Sequence, residues 1–400
     1  MIPIELLLAI LCGILVGIFS GLTPGIHINM ISLLILGLST TIVNKLGISI
    51  IAMCTFIIAT GITHTFLDAL PSIFLGAPDE NTVLGVLPGH RYLLRGEGLM
   101  AVKLFTIGSF FGLIFGIVMF PLLYIVTKVS YNFFEQFFAV ILIGVSVFMI
   151  WRDDKKIWSI CIYLIAGIFG MIVFNLNMND PLFPMLSGLF GIATLVISLK
   201  DKNNIPSQRY ETYTKIEKKQ TFLAILFGNI SAFIVSTFPG LSSSIAAVIS
   251  MQFVKDLGDK GFMILMGCIG TSSFLLSLVA LYTIDKARNG AVIVISQLMT
   301  IDFQTVLIFL ATALIAGCVS VYLSLYTGKI ISKIITKINY KLTVIIVIAF
   351  VVVMVFIMTS WIGLLILFTS TAIGILPGIV KTQRTHSMAC LILPVIFYLI

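Results

Sequence analysis

Gly21-Leu22-Thr23-Pro24-Gly25-Ile26-His27-Ile28-Asn29 reappears in outline 215 residues later as Ser236-Thr237-Phe238-Pro239-Gly240-Leu241-Ser242-Ser243-Ser244. Each stretch places a Pro-Gly pair inside an apolar run and follows it with small polar residues. Proline removes a backbone donor, and glycine releases the chain from helical angles. In lipid the freed backbone groups must be buried in protein or line a wet cavity. A broken helix repeated in both halves of a membrane chain points to a binding site at mid-membrane.

Composition places the chain in the membrane. Of its 400 residues 59% are apolar and 10% charged, and the mean hydropathy is +1.17. Soluble domains carry about 25% charged residues. The net charge of +8 suggests nucleic acid at first sight, but the basic residues lie in the connections between apolar runs. That is the pattern of cytoplasmic loops, and no nucleic-acid partner is expected. Cys12, Cys54, Cys161, Cys268, Cys318 and Cys390 each sit in a separate apolar segment. Their spacing fits neither a zinc site nor a disulfide framework, and they read as packing residues. Ile4 to Ser20 has no basic residue before it and no small-residue cleavage site, so it is expected to be retained rather than removed as a signal peptide.

A polar linker at 200–220 divides the chain into repeats at 1–199 and 221–400. Each repeat parses into six apolar units. These are 4–43, 48–88, 100–127, 133–151, 157–175 and 181–199, then 221–254, 261–299, 303–327, 343–358, 360–380 and 386–400. A crossing needs about 20 residues.

Basic residues set the orientation. In the first repeat the connections after units two and four hold Arg91, Arg95 and Lys103, then Arg152, Lys155 and Lys156. In the second repeat those after units one, three and five hold Lys255 and Lys260, then Lys329, Lys333, Lys337 and Lys341, then Lys381 and Arg384. These connections and the linker are assigned to the cytoplasm. The first unit of the second repeat then enters and leaves on the cytoplasmic side, folded at Pro239-Gly240. Its counterpart enters from outside and folds at Pro24-Gly25. The expected fold is an all-α polytopic membrane protein, an inverted-topology repeat with about 10 full crossings plus two hairpins. Both termini are expected outside. Short full spans in place of re-entrant hairpins satisfy the same charges.

The candidate substrate residues follow from the turns. A half-helix beginning after each Pro-Gly pair presents amide groups to an anion. Thr23, Pro24, Gly25, His27 and Asn29 form one side; Thr237, Pro239, Gly240, Ser242, Ser243 and Ser244 form the other. The bland reading is a proline kink with small residues for tight packing. A second group holds Asp68, Asp79 and Glu80 within an apolar unit, where a carboxylate faces a cavity or a partner. These acids, with Asp285 in the second repeat, are the candidate coupling-ion residues, for sodium or a proton. Asn81 aligns with Asn289 when Phe66 is set on Phe274, and Arg288 is placed to face an anionic substrate. The alternatives are solvated interfacial acids and an internal ion pair at Asp285. His27 and His64 read either as proton relays or as hydrogen-bonded structural residues. His386, beside Arg384 and after a third break at Pro377-Gly378, is expected at the interface. Gly240-Leu241-Ser242 lacks the glycine that follows a nucleophilic serine, no HExxH occurs, and no enzyme or bound cofactor is expected.

Gly21-Leu22-Thr23-Pro24-Gly25, Ser72-Ile73-Phe74-Leu75-Gly76-Ala77-Pro78 and Leu87-Pro88-Gly89-His90-Arg91-Tyr92-Leu93-Leu94-Arg95-Gly96-Glu97-Gly98 together resemble the TctA family. These are the large permease subunits of tripartite tricarboxylate transporters. The resemblance is clearest over 10–120 and extends to 221–300. The chain is shorter than the bacterial subunits and has Asp79-Glu80 where they carry small residues and proline; it looks like a shorter archaeal-type branch. The resemblance implies secondary uptake of a small carboxylate across the cell membrane, driven by a sodium or proton gradient through alternating access. It also implies a small membrane subunit and an extracellular substrate-binding protein as partners. A polyprenyl-phosphate translocase uses similar broken helices, and a membrane assembly protein without transport is the third reading.

Overall fold

A computed structural model describes residues 2–23, 26, 28–76, 86–176, 178, 181–199, 206–210, 217–237, 243, 246–247, 250–251, 257–287, 289–335 and 340–399. Among these residues all regular structure is helical, and nine helices are long and apolar enough to cross a membrane, with shorter apolar helices beside them. The protein is an all-α polytopic membrane protein.

The first repeat contributes α1 (Ile2–Leu22), α2 (Ile28–Leu46), α3 (Ile50–Leu67), α4 (Ala69–Leu75), α5 (Val86–Leu94), α6 (Gly98–Val118), α7 (Phe120–Arg152), α8 (Lys156–Phe174) and α9 (Leu182–Leu186). A π-helical segment, Ser187–Ile192, joins α9 to α10 (Ala193–Ser198). The second repeat contributes α11 (Lys218–Thr237), α12 (Gly258–Ile284), α13 (Gly290–Leu298), α14 (Phe303–Ile335) and α15 (Tyr340–Val380). A short 3-10 helix, Arg384–Met388, leads into α16 (Ala389–Leu399). The arms of the first turn, α1 and α2, have 21 and 19 residues, ~28–31 Å at 1.5 Å per residue, the thickness of a bilayer core.

Two boundaries differ from the sequence division. The expected unit 100–127 ends early, because Pro121 opens a new helix in its first turn, where a missing N–H costs nothing. That helix, α7, continues through 133–151. The expected break between 343–358 and 360–380 is present as Ser360, whose φ of 56° and ψ of −155° interrupt α15.

Small residues decide the packing. Gly13, Gly17 and Gly21 lie on one face of α1; a Cβ at each would fall 2.6–2.8 Å from atoms of α3, at Phe56, Thr63 and Leu67 in turn. The opposite face exposes Leu8, Leu11, Leu15 and Phe19. At the 215-residue spacing the three glycines become Gly228, Ala232 and Ser236 of α11. Gly228 meets Cys268 of α12, and Cys268 is the position equivalent to Thr60. The same small-residue seam therefore joins α1 to α3 and α11 to α12.

Helices of the two halves of the chain run in opposite senses where they touch. Gly61 of α3 faces Phe274 of α12, while Thr65 is hydrogen-bonded to Thr271 at 3.2 Å. Numbers rise along α3 as they fall along α12, so these equivalent helices are antiparallel. The pair α6 and α14 behaves alike, with Leu113 against Gly317 and Thr106 bonded to Ser324 at 3.0 Å.

The repeats also interlock. A Cβ on Gly108 of α6 would lie 1.9 Å from the Ile264 carbonyl oxygen of α12, and one on Gly267 of α12 would lie 2.1 Å from that of Phe105. In the second exchange, Gly170 of α8 accepts the Cys390 carbonyl of α16, and Gly374 of α15 accepts that of Leu189 in the π segment, with Cβ distances of 1.9 and 2.1 Å. The last helices of each repeat thus pack on a helix of the other.

Connections assigned by charge to one side meet one another. Arg91 and Arg95 pair with Asp259 at 3.5 and 3.4 Å. The linker docks there too: the Gln208 carboxamide accepts from the Gly98 amide at 2.9 Å, and Arg209 pairs with Glu97 at 3.3 Å. The α7–α8 connection joins the α15–α16 connection through Asp153. One of its oxygens takes His386 Nε2 at 2.9 Å and the Gln383 amide at 3.3 Å; the other takes the Lys155 amide at 3.0 Å. His386 is fully buried within this connection, held by the Asp153 carboxylate. At the opposite end, the Ser49 amide donates to Glu5 at 2.6 Å.

Two predictions follow from these contacts. Gly108→Val should prevent folding or cost at least ~1–3 kcal/mol, since the obstacle is backbone. Gly144→Val, where nothing lies within 4 Å, should leave thermal unfolding in detergent unchanged. Burial opposes the charge on Asp153, but bonds from the Lys155 amide, His386, the Gln383 amide and Ser159 outweigh it and lower its pKa from 3.8 to about 2. A carboxylate with a depressed pKa stabilises the fold above its unfolded value and loses that contribution as pH falls. The wild type should therefore lose more stability between pH 4 and 2 than Asp153→Asn. Equal acid sensitivity of the two proteins would remove Asp153 from this role.

Candidate functional site

The first turn begins where α1 runs out. Thr23 Oγ1 donates to the Phe19 carbonyl at 2.8 Å, and the Ile26 amide donates to the Thr23 carbonyl at 3.2 Å. In the second repeat Thr237 Oγ1 donates to the Phe233 carbonyl at 2.7 Å. Both threonines close the last turn of the helix before a Pro-Gly pair in the same way. Their hydroxyl protons are spent on their own helix, so in this state they shape the turn rather than donate to a ligand. Pro24, Gly25, His27, Pro239, Gly240, Ser242 and Ser244 lie outside the described residues. Ser243 is described and buried.

Asn29 reaches across the repeats. It stands in the first turn of α2, and its Oδ1 accepts from the Ala291 amide of α13 at 3.0 Å. The same amide donates to Asn289 Oδ1, the N-cap of α13, at 2.9 Å. Two asparagines thus converge on one N–H at a helix N-terminus, one from each repeat. Gly290 makes this possible, because a Cβ there would lie 2.7 Å from Asn29 Cγ. Candidates singled out 260 residues apart (Asn29, Asn289) are neighbours in the fold.

Asp68 is buried elsewhere on the first half of the chain. It is 4% exposed, at the bend between α3 and α4, with the Ser72 hydroxyl donating to its carbonyl at 3.3 Å. Gly21, three residues before Pro24, packs against Leu67, and its Cβ would come 3.4 Å from the Asp68 amide. The backbone of this buried acid therefore stands beside the end of α1. Asp285 is placed differently: it is exposed, at the end of α12, with φ 56°. Asp79, Glu80, Asn81 and Arg288 lie outside the described residues.

A polar seam inside the membrane accompanies these residues. His64 Nδ1 is bonded to Ser20 Oγ at 3.1 Å, Ser320 donates to Thr63 at 3.2 Å, and Ser109 donates to the Gly267 carbonyl at 3.1 Å. The His64–Ser20 pair ties α3 to α1, while the other two, with Thr65–Thr271 and Thr106–Ser324, link helices of the two halves of the chain. Apart from His64 they went unnoticed in the sequence, because single Ser and Thr residues in apolar helices carry no motif. A clustering of hydroxyl residues in one apolar helix, as at Thr60, Thr63 and Thr65, is the signal that would have found them.

The match to the TctA family model, described as the tripartite tricarboxylate transporter TctA family, runs over residues 7–389. The chain belongs to the TctA family. An uncharacterized protein of Methanocaldococcus jannaschii is 31% identical over 291 residues, covering 71% of this chain and 70% of that protein. No solved structure matches. As a TctA family member the chain is a multi-pass transporter permease, and the Pro-Gly turns that suggested the resemblance lie within the matched region.

The Asn29 contact can be tested directly. Gly290→Ala should displace Asn29 and reduce transport with little loss of protein. Asn29→Ala should be milder, since the Ala291 amide keeps Asn289 and one neutral hydrogen bond is worth about 0.5–1.5 kcal/mol. Equal effects of both changes on uptake would count against this geometry.

Proposed function

We propose that this chain is a secondary transporter for a small organic anion, a carboxylate, driven by a sodium or proton gradient. The observation that carries the reading is the meeting of Asn29, Asn289 and the N-terminus of α13, with Asp68 buried where α3 bends near the end of α1. A helix N-terminus suits an anion, and an acid at membrane depth suits a coupling cation. We take the repeats to be 1–199 and 221–400, inverted about the 200–220 linker. The antiparallel run of α3 against α12 supports that reading. A small membrane subunit and an extracellular binding protein are the proposed partners, on the strength of the tripartite family.

The interlocked glycines bear on how such a site alternates. Motion of one repeat against the other would break the joints at Gly108, Gly267, Gly170 and Gly374. We therefore place the motion between two mixed bundles, α1–α6 with α11–α14, and α8–α10 with the later arm of α15 and α16. Thr65→Cys with Thr271→Cys, in a chain otherwise free of cysteine, tests this. Oxidation should leave uptake intact; abolished uptake on cross-linking would restore movement between repeats.

Uptake by proteoliposomes from a carboxylate panel, with sodium and proton gradients imposed separately, tests the function. Gly240→Val should abolish uptake while leaving folded protein, and Asp68→Asn should alter ion dependence more than substrate affinity. A cleft of about 740 Å³ lined by Phe120, Tyr124, Tyr282, Phe303 and Leu307 favours the lipid-carrier reading instead. No uptake of any anion under either gradient would move the assignment there.

A further inference from the structure

The α15–α16 connection holds a cation that has no counter-ion among the described residues. Arg384 is mostly buried, and its bonding partner among the described residues is the hydroxyl of Thr194. Thr194 in turn donates to the Phe190 carbonyl of the π segment. The hydroxyl thereby steers one corner of the guanidinium and leaves its other N–H donors over. Burial acts on this charge, and among the described residues no carboxylate offsets it. Asp153, which reaches the same connection, already spends its oxygens on His386, Gln383 and Lys155.

The surroundings are short of partners in the same way. Thr382 Oγ1, His386 Nδ1 and Ser387 Oγ are buried polar atoms without a hydrogen bond among the described residues. Buried polar groups are ordinarily paired, and an uncompensated buried charge is costly. Four polar groups with spare hydrogen-bonding capacity thus fall within six residues of chain. The local charge has one sign: Arg152, Lys155, Lys156, Lys381 and Arg384 outnumber Asp153 and Asp154. Lys155 spends its ammonium on the Val380 carbonyl at 2.8 Å, which braces the connection without neutralising it.

We propose that Arg384, oriented by Thr194, is the charged contact of an oxyanion site where the π segment meets the α15–α16 connection. A guanidinium presents a planar fork that matches carboxylate and phosphate oxygens two at a time. A soluble carboxylate or phosphate and the phosphate of an anionic lipid share this chemistry. The site lies on the face of the basic connections and is separate from the paired Pro-Gly turns.

The test is ligand-dependent thermal unfolding of the full chain in nanodiscs. In one arm, discs of zwitterionic lipid receive citrate, succinate or inorganic phosphate. In the other, discs contain phosphatidylglycerol and no added anion. The wild type should be stabilised in at least one arm, and the arm identifies a soluble anion or a lipid headgroup. Arg384→Gln should raise the Kd at least tenfold, or abolish the lipid-dependent shift. Arg384→Lys keeps the charge but loses the fork and should fall between; if Arg384→Gln does not fold, this variant decides. No stabilisation of the wild type in either arm, or undiminished stabilisation of the variants, would overturn the site. The readout is binding rather than uptake, so it succeeds or fails independently of the transport assignment.

Discussion

Gly108, Gly170, Gly267 and Gly374 each stand where a Cβ atom would lie 1.9–2.1 Å from a carbonyl oxygen of another helix. No other residue type tolerates such an approach. The need for it comes from the solvent. Lipid tails are as apolar as leucine, so helices in a bilayer gain little by hiding apolar side chains from it. Close backbone contact, with its many small dispersion terms, takes over, and the polar seam from Ser20–His64 to Thr106–Ser324 adds interhelical bonds. Each of the four glycine contacts joins elements of different repeats, so the arrangement of the molecule depends on them.

That interlocking changes what a repeat means here. In sequence, 1–199 and 221–400 are separate units. In space, α6 belongs to the bundle built on α12, and α16 to the one built on α8. Two buried cores lie mainly within one bundle each: Phe66, Phe274 and Phe309 share one cluster, and Tyr163, Leu189, Ile373 and Cys390 share another. A third joins the bundles, with Leu70, Leu104 and Ile264 packed with Leu195 and Leu367. The antiparallel pairing of equivalent helices places the small-residue seams α1–α3 and α11–α12 as inverted counterparts. It also lets Asn29, from the first turn, cap a helix of the second repeat.

The basic connections show a simpler relation between charge and structure. Loops carrying Arg91, Arg95 and Arg209 meet near Asp259 and Glu97, and loops carrying Lys155 and Arg384 meet near Asp153. Cations gathered by the orientation rule are thereby partly neutralised by the few acids on that face. Arg384 is the exception among them, since among the described residues its bonding partner is a threonine.

Much of the architecture was readable from residue order. Apolar run length marked the helices, proline and glycine marked the breaks, and Lys and Arg counts marked which connections share a face. All three depend on local chemistry between chain and solvent, which a single strand of residues carries in full. The division at Ser360 and the start of α7 at Pro121 show both the reach and the error of that reading, because a boundary shifts by more than two turns when one proline takes the first turn of a helix. The site was legible as residue types: Asn29, Asn289 and Asp68 were singled out one by one. The convergence of the two asparagines was not, nor was the contact of Arg384 with Thr194, the burial of His386, or the role of serines and threonines scattered along apolar helices. Those depend on which helix lies against which, and that is decided by steric fit between small residues hundreds of positions apart. The sequence alone determined a membrane-spanning helical chain with two matched breaks and a basic face; only the tertiary structure decided how the repeats interlock, because close packing depends on shape in three dimensions rather than on the character of any one segment.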